Sequence, residues 1–173
     1  MRHGNQEQFI TMRIGIVSDT HGHLQNAQAA ARMLESLEVE AVLHCGDLGS
    51  SHIPPAFSLW PTHYVVGNVD HGDEELLGEA VAAAGGTFHG AFADLTLGSR
   101  RIALLHSDDA KKFRQVTTSG EYDLVCYGHS HIAEMHREGK TLVLNPGALY
   151  RANPHKIAIV DLDKLEAMHV TIS

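Results

Sequence analysis

The chain has 173 residues, of which 43% are hydrophobic and 20% are charged, and its formal net charge is −8. These values are typical of a folded globular protein and exclude a disordered or collagen-like chain. No apolar run reaches the roughly 18–20 residues that a membrane-spanning helix needs, so no membrane association is expected. Phosphate contacts come mainly from Lys and Arg, and the chain has 13 of these against 21 Asp and Glu residues. We therefore expect no strong binding to nucleic acid.

Residues 1–11 are polar and aperiodic, which predicts a disordered N-terminal extension ahead of a single domain over residues 12–173. The extension contains no apolar core of signal-peptide length. The two cysteines, Cys45 and Cys126, cannot form a disulfide framework. We therefore expect a cytoplasmic protein. The composition carries no signal for an oligomeric state.

The first part of the chain alternates strand-like and helix-like segments. Short β-branched runs predict strands, and Leu and Ala at helical spacing predict a helix. In chain order the predictions are a strand at 13–18, a helix at 24–37, strands at 39–44 and 62–66, and a helix at 73–84. Three prolines within residues 50–61 predict an irregular segment between two of these strands.

The second part of the chain is denser in strands. The predictions are strands at 91–97 and 101–106 around a Gly98-Ser99 turn, a helix at 109–119, a strand at 123–127, and short β segments to Ile172. Ser107 or Asp108 is the expected cap of the helix, and residues 136–140 are the expected turn between the last segments. Together the two parts predict an α/β layered domain with parallel and antiparallel pairing.

Polar side chains of metal-ligand type follow five of the predicted strands, each beside a glycine or another small residue. They are Asp19 and His21, Asp47, Asn68, His106, and His129 and His131. The carboxyl ends of parallel strands line one crevice, so five distant segments can deliver these side chains to one place. In an extended segment residues i and i+2 point to the same side, so each Asp-x-His or His-x-His pair is expected to face the same ion or ions.

The donor types indicate a metal site. Carboxylate oxygen and neutral imidazole suit Mn²⁺, Fe, Zn²⁺, Ni²⁺ or Co²⁺, and a structural zinc finger is disfavoured because no Cys pair is present. Seven donors are too many for one tetrahedral ion and suit two ions about 3.5–4 Å apart that share a carboxylate. The neighbouring glycines fit close turns in which the backbone approaches a charged site; they are Gly22, Gly46, Gly67, Gly128 and Gly147.

In this order and spacing, the motifs resemble those of the calcineurin-like metallophosphoesterases. The resemblance covers residues 12 to about 172, includes Asn145-Pro146-Gly147, and is strongest to the small single-domain bacterial and archaeal phosphodiesterases. It implies a two-sheet β-sandwich flanked by helices. It also implies a dinuclear metal-dependent phosphoesterase, and more specifically a phosphodiesterase. In such an enzyme a metal-bound hydroxide attacks phosphorus, and no side chain acts as nucleophile.

The resemblance implies a ligand set as well. Asp19, His21 and His131 are expected to hold the first metal ion, and Asn68, His106 and His129 the second. Asp47 is expected to bridge the two ions. The implied cofactors are two divalent metal ions, with manganese preferred over iron, zinc, nickel or cobalt. The implied substrate is a small phosphodiester or a nucleotide-like ester.

The chain departs from the wider family at two positions. Many members have a histidine after the motif asparagine, where it helps to protonate the leaving group, but this chain has Val69. We therefore expect either a preference for good leaving groups or another acid, for which His71 is the candidate. Ser107 follows His106 where relatives commonly have glycine, which puts the geometry of the second metal in question. Arg151 is a candidate contact for a substrate phosphate.

Other interpretations remain open. A phosphomonoesterase with the same site would use the same metals, and a non-catalytic metal-binding scaffold would keep the fold without turnover. Single residues also have plainer explanations, since Asp19 could cap a helix and Asn68 is common in left-handed turns. His23 and His44 lie beside the motifs and are candidates for orienting the ligands through hydrogen bonds.

Overall fold

The computed structural model describes residues 11–173, so the predicted N-terminal extension lies outside the described residues except for Thr11. The described chain forms two mixed sheets flanked by helices. The strands of the first sheet are β1 (Arg13–Val17), β2 (Ala41–His44), β3 (Thr62–Tyr64), β4 (Thr87–Phe88), β10 (Lys156–Asp161) and β11 (Glu166–Thr171). Those of the second are β5 (Phe92–Leu97), β6 (Arg100–Leu105), β7 (Leu124–Cys126), β8 (Glu134–Glu138) and β9 (Thr141–Asn145).

Strand directions bring the site-bearing strand ends to one side of the molecule. In the first sheet, ordered β11-β10-β1-β2-β3-β4, strands β1 to β4 are mutually parallel, and β10 runs antiparallel to both of its neighbours, β1 and β11. In the second sheet, ordered β5-β6-β7-β9-β8, strands β6, β7 and β9 are parallel. The α/β two-sheet architecture with parallel and antiparallel pairing is therefore confirmed.

The core between the sheets is formed by one face of each. Alternate residues of the central strands point inward, as the two-residue repeat of a strand requires. This cluster includes Ile14, Ile16, Leu43, Ile102, Leu104, Leu124, Leu142, Leu144 and Val160, all at most 5% exposed. Burying a side chain of this size contributes roughly 1.5–3 kcal/mol. The core therefore holds the central strands of the two sheets together face to face.

Three helices cover the outer faces of the sheets. They are α1 (Leu24–Ser36), α2 (Glu74–Ala83) and α3 (Ala110–Thr118), and two 3₁₀ turns cover Pro54–Phe57 and Asn68–Asp70. The buried stripe of α1 packs on the first sheet, where Gly15 leaves room for Leu34, whose Cδ2 would lie 2.4 Å from an added Cβ. Within the described residues, none of the helices is long and apolar enough to cross a membrane.

Two local predictions are wrong, and one strand was missed. The cap of α3 is Asp109, whose carboxylate accepts the Lys112 amide, rather than Ser107 or Asp108. Residues 136–138 belong to β8, whose five residues are all exposed, so this edge strand is polar enough to resemble a turn; the turn itself is at Gly139. Strand β4 was not predicted because two residues are too few to show a repeat.

Candidate metal centre

The seven predicted ligands follow strands β1, β2, β3, β6 and β7, and the structure brings all seven together. We call Asp19, His21 and His131 the first group, and Asn68, His106 and His129 the second group, with Asp47 between them. Two sets of side chains each place one ligand atom per residue within 4.8 Å of the others. The sets are Asp19, His21 and His131, and Asp19, Asp47 and His106.

The first group presents atoms that no hydrogen bond satisfies. Asp19 Oδ1 lies 3.2 Å from His131 Nε2 and 3.8 Å from His21 Nε2. The other oxygen, Oδ2, accepts hydrogen bonds from the Ser18 hydroxyl and the His129 amide, which orients Oδ1 toward the histidines. Among residues 11–173, Asp19 Oδ1 and His21 Nε2 are buried atoms without a hydrogen-bond partner of acceptable geometry. Leaving such atoms unpaired is costly, and a cation bound between them would remove that cost.

In the second group, a hydrogen bond to the backbone selects the tautomer of His106. His106 Nδ1 lies 2.8 Å from the Cys45 carbonyl oxygen, which can only accept, so we assign the ring proton to Nδ1. The Nε2 lone pair of the neutral ring then faces Asn68 Oδ1 at 3.2 Å. His129 Nδ1 lies 3.0 Å from the same amide oxygen. The donors of the second group therefore converge on one position.

Asp47 lies between the two groups. Its Oδ2 is 3.2 Å from His21 Nε2 and 3.2 Å from His106 Nε2, one nitrogen from each group. Its Oδ1 accepts the Val69 amide at 3.0 Å, which orients the carboxylate. A carboxylate placed in this way has the position that a shared ligand of two ions requires.

The electrostatics of the centre favour charged carboxylates. Burial opposes the charge on Asp19, but neighbouring His21, Ser18, His106 and His131 outweigh it, and the pKa of Asp19 is lowered. Burial likewise opposes the charge on Asp47, and His106 reverses the effect, so that pKa is lowered too. Burial disfavours the charged form of His106, yet the adjacent carboxylates raise its pKa. The two carboxylates thus stay charged and favour a positive charge beside them, which a protonated His106 can supply and which a bound cation would supply while the ring is neutral.

The i and i+2 argument assumed extended loops, but the loops of the centre are not extended. Five of the seven predicted ligands have positive φ, a conformation that costs non-glycine residues energy and concentrates at functional sites. They are Asp19 (54°), His21 (43°), Asp47 (56°), His129 (73°) and His131 (60°). The paired side chains still converge, but they do so through left-handed turns.

Two glycines are required by close approach of backbone to the centre. A Cβ on Gly67 would lie 2.0 Å from Asp47 Oδ1. A Cβ on Gly128 would lie 2.0 Å from the Ser18 hydroxyl and 2.7 Å from Asp19 Oδ2. Any side chain at either position would displace an oriented carboxylate, which agrees with the expectation for these two glycines.

His44 orients the loops after β1 and β2. The other candidate for this role, His23, instead packs against the ring of Tyr150. The Gly46 amide donates to His44 Nδ1 at 3.2 Å, so the ring proton is on Nε2, which lies 3.0 Å from the Thr20 hydroxyl. That hydroxyl donates in turn to the Leu48 carbonyl oxygen. Burial lowers the pKa of His44 to about 4, which keeps the ring neutral.

Asp70 is a buried residue of the site that the sequence analysis did not single out. It is 1% exposed and accepts the backbone amides of Leu48, Gly49 and Gly67. Burial raises its pKa, although the three amides oppose the shift. The only sequence signal was an acidic residue two positions after Asn68.

The chain is similar to known proteins of one superfamily. The calcineurin-like phosphoesterase superfamily domain matches residues 12–165. The chain belongs to this superfamily. A phosphodiesterase of Methanocaldococcus jannaschii is 30% identical in an alignment of 166 positions that covers 93% of this chain and 99% of the archaeal protein. A probable metallophosphoesterase of Bacillus subtilis, YsnB, is 32% identical in an alignment of 148 positions that covers 80% of this chain and 75% of that protein.

Among solved structures, an archaeal phosphodiesterase superimposes with a TM-score of 0.86 at 29% identity, covering 93% of this chain and all of the other. The calcineurin-like chain is therefore a hydrolase of phosphoric esters, and its superfamily uses divalent metal ions. Recognition of the family and prediction of the fold from the sequence motifs are both confirmed.

In this phosphoesterase, the predicted residues outside the metal centre lie on exposed loops. The His71 side chain is 59% exposed; its Nδ1 lies 3.2 Å from Glu74 Oε1 and its Nε2 4.0 Å from Asp108 Oδ2. Arg151 is exposed, and its guanidinium packs 5.1 Å from the centre of the Tyr150 ring. Tyr150 in turn packs 5.0 Å from the ring of His21. Arg151 is thus connected to the first group through one aromatic ring.

Proposed function

We propose that the chain is a phosphodiesterase that works with two divalent metal ions. The observation that carries the proposal is the position of Asp47 Oδ2, 3.2 Å from one histidine nitrogen of each group. The unpaired buried atoms Asp19 Oδ1 and His21 Nε2 support it, because a bound cation would satisfy both. The relatives named as phosphodiesterases support a diester rather than a monoester as substrate.

We assign the first metal ion to the first group, the second ion to the second group, and the shared position to Asp47. The donors are carboxylate and amide oxygens with imidazole nitrogens, so Mn²⁺ fits well and Fe, Zn²⁺, Ni²⁺ or Co²⁺ also fit. When bound, two such ions lower the pKa of a water and neutralise charge on phosphoryl oxygens.

The protein's own groups hold this arrangement in place. The Cys45 carbonyl oxygen keeps the His106 proton on Nδ1 and leaves Nε2 free to bind. The Val69 amide fixes the rotation of the Asp47 carboxylate. Arg151, packed on Tyr150 beside His21, is the proposed contact for a substrate phosphate oxygen. An exposed guanidinium here would hold the ester near the metal ions without contacting them.

The leaving group needs a proton source when it is poorly stabilised. Val69 cannot donate a proton, and it is 41% exposed at the rim of the centre. We propose His71 as the acid, since its ring lies between two carboxylates, one of them on the loop after His106. A small phosphodiester or a nucleotide-like ester is the proposed substrate; without His71 as the acid, only esters with good leaving groups would react well.

The decisive experiment compares Asp47→Ala with the unaltered protein. Both are stripped of metal, reloaded with Mn²⁺, and assayed on bis(p-nitrophenyl) phosphate and on p-nitrophenyl phosphate. We expect Mn²⁺ to restore diester hydrolysis in the unaltered protein and Asp47→Ala to lose at least about 10³-fold in kcat/KM, equivalent to roughly 4 kcal/mol. Asp73→Ala, a change at an exposed residue, is the control and should behave as the unaltered protein.

Three results would contradict the proposal. Turnover with no divalent metal would exclude metal dependence. Faster hydrolysis of the monoester would favour a phosphomonoesterase. Failure of both proteins with Mn²⁺, Fe²⁺, Zn²⁺, Ni²⁺ and Co²⁺ would favour a metal-binding scaffold without turnover.

We also propose that the protein works in the cytoplasm without a nucleic-acid or membrane partner. Cys45 and Cys126 are both free and buried, which suits a reducing compartment. The net charge of −8 gives no general attraction to a polyanion. Fractionation of the source cells, with the protein detected by antibody, tests the location; recovery in the extracellular fraction would contradict it.

A further inference from the structure

Asp70 is held by backbone amides on both sides of its carboxyl group. Oδ2 accepts Leu48 N at 3.1 Å and Gly67 N at 2.9 Å, and Oδ1 accepts Gly49 N at 2.9 Å. The residue is 1% exposed. Burying a carboxyl group is costly unless such bonds compensate for the lost water. Here three amide hydrogen bonds provide that compensation, so the carboxyl group joins the backbone of two loops rather than merely filling space.

The contacts between the loop after β2 and the 3₁₀ turn Asn68–Asp70 run in both directions. Val69 N–H donates to Asp47 Oδ1, while Asp70 accepts the two amides that directly follow Asp47. Gly67 closes the contact, because its Cα lies so near Asp47 that a Cβ has no room. We call this set of bonds between residues 47–49 and 67–70 the carboxylate clasp.

The carboxylate clasp fixes Asp47 relative to Asn68. Asn68 is exposed and sits on a turn of only three residues, so its own packing does little to hold it. Asp70, two residues later, is the buried end of that turn. Its bonds to Leu48 and Gly49 thus tie the turn that carries a second-group ligand to the loop that carries the shared carboxylate.

We propose that Asp70 is a positioning residue that sets the affinity of the protein for the second metal ion. The inference rests on the proposed function, which assigns Asn68 and Asp47 to that ion. Asp70 makes no hydrogen bond to Asp19, His21 or His131 in the described part of the chain. The loop of the first group keeps two backbone bonds of its own to residues 47–48, from His21 N–H to the Asp47 carbonyl and from Gly22 N–H to the Leu48 carbonyl, so the first ion should be affected less. A residue that only stabilised the fold would weaken both sites alike.

Three variants separate geometry, charge and location. Asp70→Asn keeps the shape but turns one acceptor into a donor that faces backbone N–H groups. Asp70→Glu keeps the charge but is one methylene too long to keep all three bonds. Asp73→Asn removes the same charge at an exposed side chain three residues away and is the matched control.

The measurement is calorimetric titration of each metal-free protein with Mn²⁺. We expect two binding events in the unaltered protein and in Asp73→Asn. In Asp70→Asn and Asp70→Glu the affinity for the weaker-bound ion should fall at least tenfold, and that for the tighter-bound ion less than threefold. Equal weakening of both events, or no change in either, would overturn the inference.

Two further readouts keep the result interpretable. If the unaltered protein binds fewer than two Mn²⁺ ions, the proposed function fails, whatever Asp70 does. If the Asp70 variants do not fold, amide exchange in the unaltered metal-free protein decides: the amide hydrogens of Leu48, Gly49 and Gly67 should be protected. Rapid exchange at these three amides would show that the carboxylate clasp is not formed in solution and would overturn the inference.

Discussion

Asp19 is fully buried, and among the described residues its Oδ1 has no hydrogen-bond partner, whereas Asn68 of the second group is exposed and its Oδ1 lies within hydrogen-bond distance of His129 Nδ1. The first group thus offers a cation a charged carboxylate oxygen in a buried position. The second group offers a neutral amide oxygen in an exposed position, and its contact with His129 must be given up when a cation binds. We therefore expect a tighter first ion and a weaker, more exchangeable second ion.

The difference follows from how each group is supported. Asp19 is the second residue after β1, and its Oδ2 accepts hydrogen bonds from the Ser18 hydroxyl and the His129 amide. Asn68 lies on a short turn that depends on the carboxylate clasp. A buried ligand fixed by the core and an exposed ligand fixed by one neighbour should respond differently to substitution.

The largest effect is expected at Asp19. Asp19→Asn removes the buried charge next to His21 and His131 and replaces one acceptor by a donor, so the first ion loses its main anionic ligand. We expect the variant to bind no tight Mn²⁺ and to lose about 10³-fold or more in kcat/KM, roughly 4 kcal/mol. Metal content after gel filtration, measured by mass spectrometry, checks this. A variant that retains two Mn²⁺ ions would contradict the contrast between the groups.

A smaller effect is expected at Asn68. Asn68→Ala removes a neutral donor from an exposed turn, so the first ion should stay bound while the second is weakened. We expect about a 10²-fold loss of activity at micromolar Mn²⁺, recovered at millimolar Mn²⁺ by mass action. Activity measured against Mn²⁺ concentration tests this. If activity does not recover, or if both ions are lost, the two groups are not independent.

Local patterns predicted an α/β layered domain and placed the residues of the candidate centre at strand ends, while the two-sheet arrangement was predicted from the resemblance to the family. Strand-end polar residues at Asp19, Asp47 and His106 stand out against β-branched runs, and parallel strands make their ends meet. The carboxylate clasp could not be predicted in the same way. Asp70 acts through backbone amides of residues about twenty positions away, and backbone groups carry no sequence signature.

The conformation of the ligand loops was also outside what spacing can show. An i and i+2 pair faces one side in an extended segment, yet His129 and His131 reach the centre with positive φ. Likewise, the Gly46–His44–Thr20–Leu48 chain of hydrogen bonds depends on a tautomer that only the three-dimensional contacts assign. Proximity to the motif marked His44 as a candidate but could not give its direction of donation.

The stability of the folded protein should depend on pH through His44, which orients the loops that carry Asp19, His21 and Asp47. Its pKa is about 4 in the folded protein and 6.5 is its ordinary value, so the unfolded chain binds more protons between these limits. Stability should therefore fall as pH drops from about 6.5 toward 4, by up to about 3 kcal/mol for a fully buried ring. Urea unfolding of metal-free protein at pH 7 and pH 4.5 measures this loss.

His44→Gln cannot titrate in this range, so its loss between the two pH values should be smaller than that of the unaltered protein. His136→Gln, at an exposed residue of β8, is the control and should keep the full loss. Equal slopes for His44→Gln and the unaltered protein would show that His44 does not carry this pH dependence.

The smallest effect is expected at His71, beyond both groups. Its ring is more than half exposed and contacts Glu74 and Asp108 rather than a predicted ligand, so His71→Asn should leave Mn²⁺ affinity unchanged. As an acid it matters only when the leaving group is poor, so we expect roughly a tenfold loss with alkyl esters and no change with p-nitrophenyl esters. Val69→His should raise the rate with alkyl esters, since it places a proton donor directly after Asn68. Equal losses with both ester types in His71→Asn, or no gain in Val69→His, would place the proton source elsewhere.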